Sequence, residues 1–203
     1  MVEILVATRN RHKLREFRQM FEGTKYELVT LDTIPNAPEV IEDGDTFQAN
    51  ADKKARQLAE FSGRITIADD SGIEIDALDG RPGVWSARYA GVDGDGADDA
   101  NNAKMLVELE GVPDERRTAR YRCVLAVVRP DGVARYADGS CEGRIGYAPR
   151  GQHGFGYDPY FLVTGNFDGR TMAELEPAEK NAISHRGKAL EGLLPLLDEV
   201  VSA

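Results

Sequence analysis

The chain has little cysteine, no long apolar run and no excess of positive charge. Its two cysteines, Cys123 and Cys141, lack C-x-x-C spacing, which sets aside a thiolate metal site of that type. Both fall in strand-like stretches and read as buried thiols, with a disulfide as the lesser alternative. No segment approaches the ~18 apolar residues that a membrane span needs. No basic leader precedes the strand-like Val2-Glu3-Ile4-Leu5-Val6-Ala7, so the expected location is the cytoplasm. Lys and Arg number 25 against 35 Asp and Glu, a net charge of -10, which repels duplex DNA and RNA. A small polyanion can still bind where positive charge is locally concentrated. There is no internal repeat, low-complexity segment or linker, so residues 1–203 read as a single domain of two lobes.

What is present alternates between strand-like and helix-like segments. Residues 2–7 predict a buried strand, and Lys13 to Glu22 a helix with Leu14, Phe17 and Phe21 on one face. Tyr26 to Leu31 predicts a second strand. Asp45 is the expected cap of a helix carrying Phe47, Ala51, Ala55 and Leu58. The β-branched run at 65–68 predicts a strand that stops where Asp69-Asp70-Ser71-Gly72 begins. Gly91 to Asp99 reads as an exposed loop, and Ala100 to Leu109 as a helix. Arg117 to Val128 alternates, and Pro130-Asp131-Gly132 turns it into a hairpin ending near Ile145. Ser184 is the expected cap of a last helix reaching Val201, kinked or broken at Pro195. The fold class is α/β with a mixed sheet, because a hairpin follows the alternating elements.

Four segments carry chemistry. Thr8-Arg9-Asn10-Arg11-His12-Lys13 leaves a strand and enters a helix, where free N–H groups and three basic side chains suit phosphate. It has no Walker glycines, and a merely basic helix start fits equally well. Asp69 and Asp70 with Glu42 can converge on Mg²⁺, or a carboxylate among them can take a proton from water; an acidic turn is the alternative. Lys53 and Lys54 lie on the helix between these acids, and at least one of them reads as a solvated surface lysine. In Gly151-Gln152-His153-Gly154-Phe155-Gly156-Tyr157-Asp158-Pro159, an aromatic ring can stack on a base and Asp158 can accept from base N–H groups. A tight turn buttressed by core aromatics is the competing reading. Lys180, His185 and Arg186 gather donors for an oxo group or a phosphate near a helix start. Together these describe a Mg²⁺-dependent nucleotide hydrolase.

In these residues the chain resembles the noncanonical purine nucleoside triphosphate pyrophosphatases, the inosine/xanthosine triphosphate house-cleaning enzymes. The resemblance is carried by Thr8-x-Asn10-x-x-Lys13, Thr46-Phe47-x-x-Asn50-Ala51-x-x-Lys54-Ala55 and Ala68-Asp69-Asp70-Ser71-Gly72. It continues through Pro82 to Gly91, Pro149-Arg150-Gly151 with Gly154 to Pro159, and Glu179-Lys180-Asn181-x-Ile183-Ser184-His185-Arg186. The blocks run in family order over nearly the whole chain. The resemblance implies a two-lobed α/β fold with a long mixed central sheet flanked by helices, and a cleft between the lobes. It implies a homodimer, Mg²⁺, and hydrolysis of ITP, dITP or XTP to the monophosphate and pyrophosphate. By the same match Thr8, Arg9, Asn10, Arg11, His12 and Lys13 hold the triphosphate. Asp70 is the proton acceptor and a metal ligand, with Glu42 the second ligand, and Asp69 and Lys54 support them. Ser71, Phe155, Gly156, Tyr157, Asp158, Lys180, His185 and Arg186 hold substrate.

A basic donor facing the purine 6-position pairs with the oxo group of hypoxanthine or xanthine and is left unpaired by adenine, which can give discrimination of ~10⁴ or more. Two other readings compete: a Maf-like pyrophosphatase of modified pyrimidine nucleotides, and a purine-nucleotide sensor without turnover. Two acids side by side near a triphosphate argue against the sensor.

Overall fold

A computed structural model describes residues 2–165 and 169–202. Its elements are β1 (Val2–Val6), α1 (Arg11–Phe21), β2 (Tyr26–Thr30), α2 (Phe47–Ser62), β3 (Thr66–Ile75) and α3 (Ala97–Glu108). Then follow β4 (Thr118–Val128), β5 (Ala134–Ile145), β6 (Phe161–Val163), α4 (Pro177–Ile183) and α5 (His185–Ser202). The strands form one six-stranded mixed sheet in the order β2-β1-β3-β4-β5-β6. β1 runs parallel to β2 (Val2 opposite Tyr26) and to β3 (Leu5 opposite Thr66), while β5 and β6 are antiparallel. The α/β class with a mixed sheet and flanking helices is the one the sequence predicts. Among the described residues no helix is long and apolar enough to cross a membrane.

The chain divides into two compact units and crosses between them four times. Unit 1 holds residues 1–70, 123–139 and 186–203; unit 2 holds residues 71–122 and 140–185. In unit 1, Leu14, Phe17 and Phe21 of α1 and Leu190, Leu193 and Leu197 of α5 pack on Ile4, Val6, Ile67, Cys123, Leu125 and Val127. The strand residues in that set are alternate ones, as a pleated sheet requires. The intervening Leu5, Ala68, Val124 and Ala126 are also buried, so these strands are covered on both faces. In unit 2, Met105 and Leu109 pack with Ile73, Ile75, Ala119, Tyr121, Cys141, Ile145 and Phe161. Cys123 and Cys141 are both buried thiols outside any disulfide.

Several local expectations are corrected. β3 does not stop at the acids but runs through Asp69 and Asp70 to Ile75. Asp, Ser and Gly favour turns locally, yet pairing within a six-stranded sheet overrides that preference. α2 is capped by Thr46, not Asp45, because Thr46 Oγ1 accepts from the Ala49 N–H at 3.1 Å. α3 starts earlier, at Ala97, inside the expected loop. Ser184 closes α4, donating its N–H to the Lys180 carbonyl at 2.8 Å, and α5 follows at once. Lys180 therefore belongs to a helix the sequence reading did not separate. α5 continues across Pro195, between the buried Leu193 and Leu197 that anchor it to the core.

Phe17 is among the largest fully buried side chains and stands between α1 and the unit 1 sheet. Phe17→Ala is expected to destabilise the protein by about 3–5 kcal/mol, read as a lower urea midpoint at unchanged slope.

Candidate active site

Consecutive residues of a strand face opposite sides of a sheet, so β3 sends Asp69 and Asp70 apart. Asp69 takes the face of Ile67, which α1 and α5 cover. Asp70 takes the face of α2. The two acids consequently sit in different electrostatic environments.

On the first face, Asn10 caps α1: its Oδ1 accepts from the N–H groups of His12 at 2.9 Å and Lys13 at 3.1 Å. Thr8 Oγ1 in turn accepts from the Asn10 N–H at 3.2 Å. The Thr8-x-Asn10-x-x-Lys13 spacing thus builds the turn and aims Lys13 inward, where its ammonium pairs with Asp69. Arg186, in the first turn of α5, donates from Nε to Asp69 Oδ2 at 2.7 Å and from Nη1 to Glu16. The Cys123 thiol donates to the same Asp69 oxygen at 3.2 Å. Burial alone pushes the Asp69 carboxyl up, but Arg186 and Lys13 outweigh it and hold it well below the usual range. Asp69 is a fixed anion. Burial disfavours the Arg186 cation, but Asp69 and Glu16 outweigh it and keep the guanidinium charged. Burial, followed by the charge of Asp69, pushes the Cys123 thiol well up.

On the second face, Asn50 of α2 donates from Nδ2 to Asp70 Oδ2 at 2.9 Å, while its Oδ1 accepts from the Gly44 N–H at 2.8 Å. A Cβ on Gly44 would lie 2.8 Å from that Oδ1, so only glycine lets the loop approach this closely. Lys54 pairs with Glu42. Lys53 pairs with Asp43 at the surface, as read for one of the two lysines. A cavity of about 170 Å³ opens here, lined by Thr8, Arg9, Glu42 and Lys54 with Leu31 and Val40. Arg9 braces its rim by donating to the Ala37 carbonyl at 3.0 Å. Burial and the nearby charge of Glu42 push the Asp70 carboxyl up to about 6, against the pull of Lys13, Asn50 and Lys54. Arg11 and His12 are exposed at the start of α1.

In unit 2, Asp158 is buried and organises the glycine-rich loop from within. Its Oδ1 accepts from the Tyr121 hydroxyl at 3.0 Å; its Oδ2 accepts from the Phe155 N–H at 2.9 Å and from Lys180 at 2.8 Å. Gly154 has φ +79°, and a Cβ there would collide with the Asp158 carboxylate. The Lys180 ammonium also lies 5.0 Å from the Phe155 ring centre. Tyr157 is a core residue whose hydroxyl donates to the Ser86 carbonyl at 2.8 Å, which leaves Phe155 as the aromatic of this loop with a partly open face. His185 stacks on Tyr121 with ring centres 4.7 Å apart. Ser71 directly follows the acid pair in β3.

In unit 1 the structure brings together Thr8, Arg9, Glu42 and Lys54, and separately Lys13, Asp69 and Arg186. In unit 2 it brings together Phe155, Asp158 and Lys180. Asp69 and Asp70, which the sequence allows to converge with Glu42 on a cation, leave β3 on opposite faces. Arg186, expected among the substrate donors, is buried and pairs with Asp69 and Glu16. Glu16 and Tyr121 were missed. Glu16 lies three residues after Lys13, a spacing that places both on one side of α1. Tyr121 shares the alternation of Ala119 and Cys123, which marks burial but not a hydrogen bond to Asp158.

Among the described residues no three His, Cys, Asp or Glu side chains gather around a metal position. The donors available to a hard cation are Asp70 and Glu42, whose mutual repulsion a cation relieves. Mg²⁺ is commonly held by one or two carboxylates plus substrate phosphates, and this pair fits that pattern.

In metal-free protein, Asp70 favours the fold while protonated, so its contribution is present below about pH 4 and lost as pH rises through about 6. That interval corresponds to on the order of 3 kcal/mol. Asp70→Asn should therefore flatten the fall of stability between pH 4 and 6 in EDTA; an unchanged slope contradicts the assignment. Asp69 acts oppositely, favouring the fold above about pH 4 and losing its contribution in more acid solution. Arg186→Ala leaves two buried carboxylates without this cation and should cost about 3–5 kcal/mol in chemical denaturation.

The Ham1 family pattern matches residues 4–196. The dITP/XTP pyrophosphatase of Geobacter sulfurreducens is 51% identical over 190 residues, 94% of each chain. That of Shouchella clausii is 50% identical over 200 residues, 98% of each chain. A HAM1 protein from Coxiella burnetii superposes with a TM-score of 0.86 at 41% identity, covering 98% of this chain and 100% of its own. A nucleoside-triphosphatase / dITP/XTP pyrophosphatase from Mycobacterium abscessus gives 0.76 at 47% identity, covering 96% and 100%. Sequence and fold agree over nearly the full length of the relatives as well as of this chain, and on that ground the chain belongs to the Ham1 family.

Proposed function

We propose that this protein hydrolyses noncanonical purine nucleoside triphosphates, namely dITP, XTP and ITP, to the monophosphate and pyrophosphate. Relatives at about half identity bear the name dITP/XTP pyrophosphatase. The observation that carries the reading is Asp70, a buried carboxyl pushed up to about 6, oriented by Asn50 near Glu42 and Lys54. Such a group is ionised at neutral pH yet basic enough to accept a proton from water.

In this reading Asp70 takes the proton of the water that attacks the α-phosphorus, and the bond to the bridging oxygen breaks to release pyrophosphate. Asp70 and Glu42 would hold Mg²⁺, which when bound offsets negative charge and polarises the phosphoryl group. Asn50 keeps the Asp70 carboxylate in one orientation. Lys54, steadied by Glu42, and the basic start of α1 offset phosphate charge. Asp69 does not exchange protons; with Lys13 and Arg186 it fixes β3 against α1 and α5. Phe155, Lys180 and His185 are assigned to the base. The family match sets aside the Maf-like reading. A homodimer and a cytoplasmic location complete the proposal, as for a soluble enzyme acting on the nucleotide pool.

The test is a pyrophosphate-release assay over dITP, XTP, ITP, GTP, ATP and dTTP. The first three should exceed ATP by ~10² or more in kcat/KM. Equal rates across the panel, or release of orthophosphate with a diphosphate, would sink the reading. EDTA should abolish turnover and Mg²⁺ restore it. Asp70→Asn should lower kcat by ~10² or more while the circular dichroism spectrum stays unchanged. A near-normal kcat would place the base elsewhere.

A further inference from the structure

The N-terminal half of α3 lies outside the groups assigned above, yet it grips the glycine-rich loop. Asp98 and Asn102 are four residues apart and share one side of α3. Asp98 Oδ2 accepts from the Gly156 N–H at 2.8 Å, and Asn102 Nδ2 donates to the Gly156 carbonyl at 2.9 Å. Both main-chain polar groups of Gly156 are thus held by one helix. Gly156 itself has φ +61°, a conformation costly for other residues. Asn101, between them, extends the grip to the 3₁₀ turn at Gly83–Arg88. Its Nδ2 donates to the Ala87 carbonyl at 3.1 Å, and its Oδ1 accepts from the Ala90 N–H at 2.7 Å.

The form of the Asn102 contact is informative. Among the described residues its Oδ1 is buried without a hydrogen-bond partner. Flipping the amide would set that oxygen against the Gly156 carbonyl, so the orientation is fixed by Gly156. A buried acceptor left in this way opposes folding, and an apolar side chain would serve stability better. The amide is explained by what it holds. Asp158 ties Phe155 from inside the loop, and Asp98 with Asn102 tie Gly156 from α3. The Phe155 ring is bracketed between these anchors.

We infer that Asp98 and Asn102 are positioning residues for base recognition, setting the Gly156 main chain and through it the Phe155 ring; the inference rests on the purine triphosphate reading above. Neither side chain needs to touch substrate. The test compares wild type, Asn102→Ala, Asp98→Ala and Asp98→Asn in pyrophosphate release from dITP and from ATP, together with the melting temperature. KM for dITP should rise about three- to tenfold in the alanine variants, the scale of one lost hydrogen bond. Their kcat should stay within about twofold and kcat/KM for ATP should hold, so the dITP/ATP ratio falls. Asn102→Ala should melt no lower than wild type. Asp98→Asn, which retains an acceptor oxygen, should recover most of the loss. Equal losses on dITP and ATP, or a lower melting temperature with an unchanged dITP KM, overturn the inference. Wild-type protein with no preference for dITP removes the functional reading and this inference with it. A preference that survives unchanged in both alanine variants overturns this inference alone.

Discussion

Two adjacent carboxylates in an extended strand cannot look the same way. That constraint on β3 organises unit 1. It gives Asp69 to the helices α1 and α5 and Asp70 to α2; Lys13 acts on both acids, Arg186 on Asp69 and Lys54 on Asp70. Around Asp69, two cations (Lys13 and Arg186) meet two anions (Asp69 and Glu16), so the formal charge of the buried group sums to zero. A buried ionic group of this kind adds little net stability but is costly to break, which makes it a device for fixing positions. Around Asp70 the balance differs. Burial, with the charge of Glu42, raises Asp70 against the pull of Lys13, Asn50 and Lys54. One strand carries both a firmly ionised carboxylate and one raised by burial.

The second polar centre, in unit 2, follows a different logic. Asp158 accepts from a hydroxyl, a main-chain N–H and the Lys180 ammonium, all within the loop and its immediate support. The glycines at 151 and 154 permit that convergence. At both positions φ is positive, and any side chain would strike Ala173 or Asp158. The loop is thus shaped by the absence of side chains as much as by their presence.

Much of this was legible in the sequence. The alternation of Arg117 to Val128 and the hydrophobic faces of α1 and α2 gave the elements. Ordered polar blocks gave the family, and with it the fold. Failures came where tertiary pairing overrides local preference. Asp-Asp-Ser-Gly is turn-like by composition, and only the neighbouring strands of the sheet make it extended. Once extended, it separates the very acids that sequence adjacency had suggested should act together. Arg186 shows a related limit: beside a histidine at a helix start it reads as a ligand donor, and its ion pairs leave no local trace. Its buried partners Asp69 and Glu16 lie 117 and 170 residues away in the chain, beyond any local pattern.

Cys123 carries a consequence of a different kind. A sulfur atom beside the central ion network would be a point of chemical vulnerability if it were a thiolate, since thiolates are what alkylating agents and peroxides attack. Full burial and the adjacent Asp69 charge keep this one protonated, with its hydrogen directed to a carboxylate. Cys141, the other cysteine, is buried as well. Both cysteine thiols are thus held away from solvent, and the one beside the ion network stays protonated.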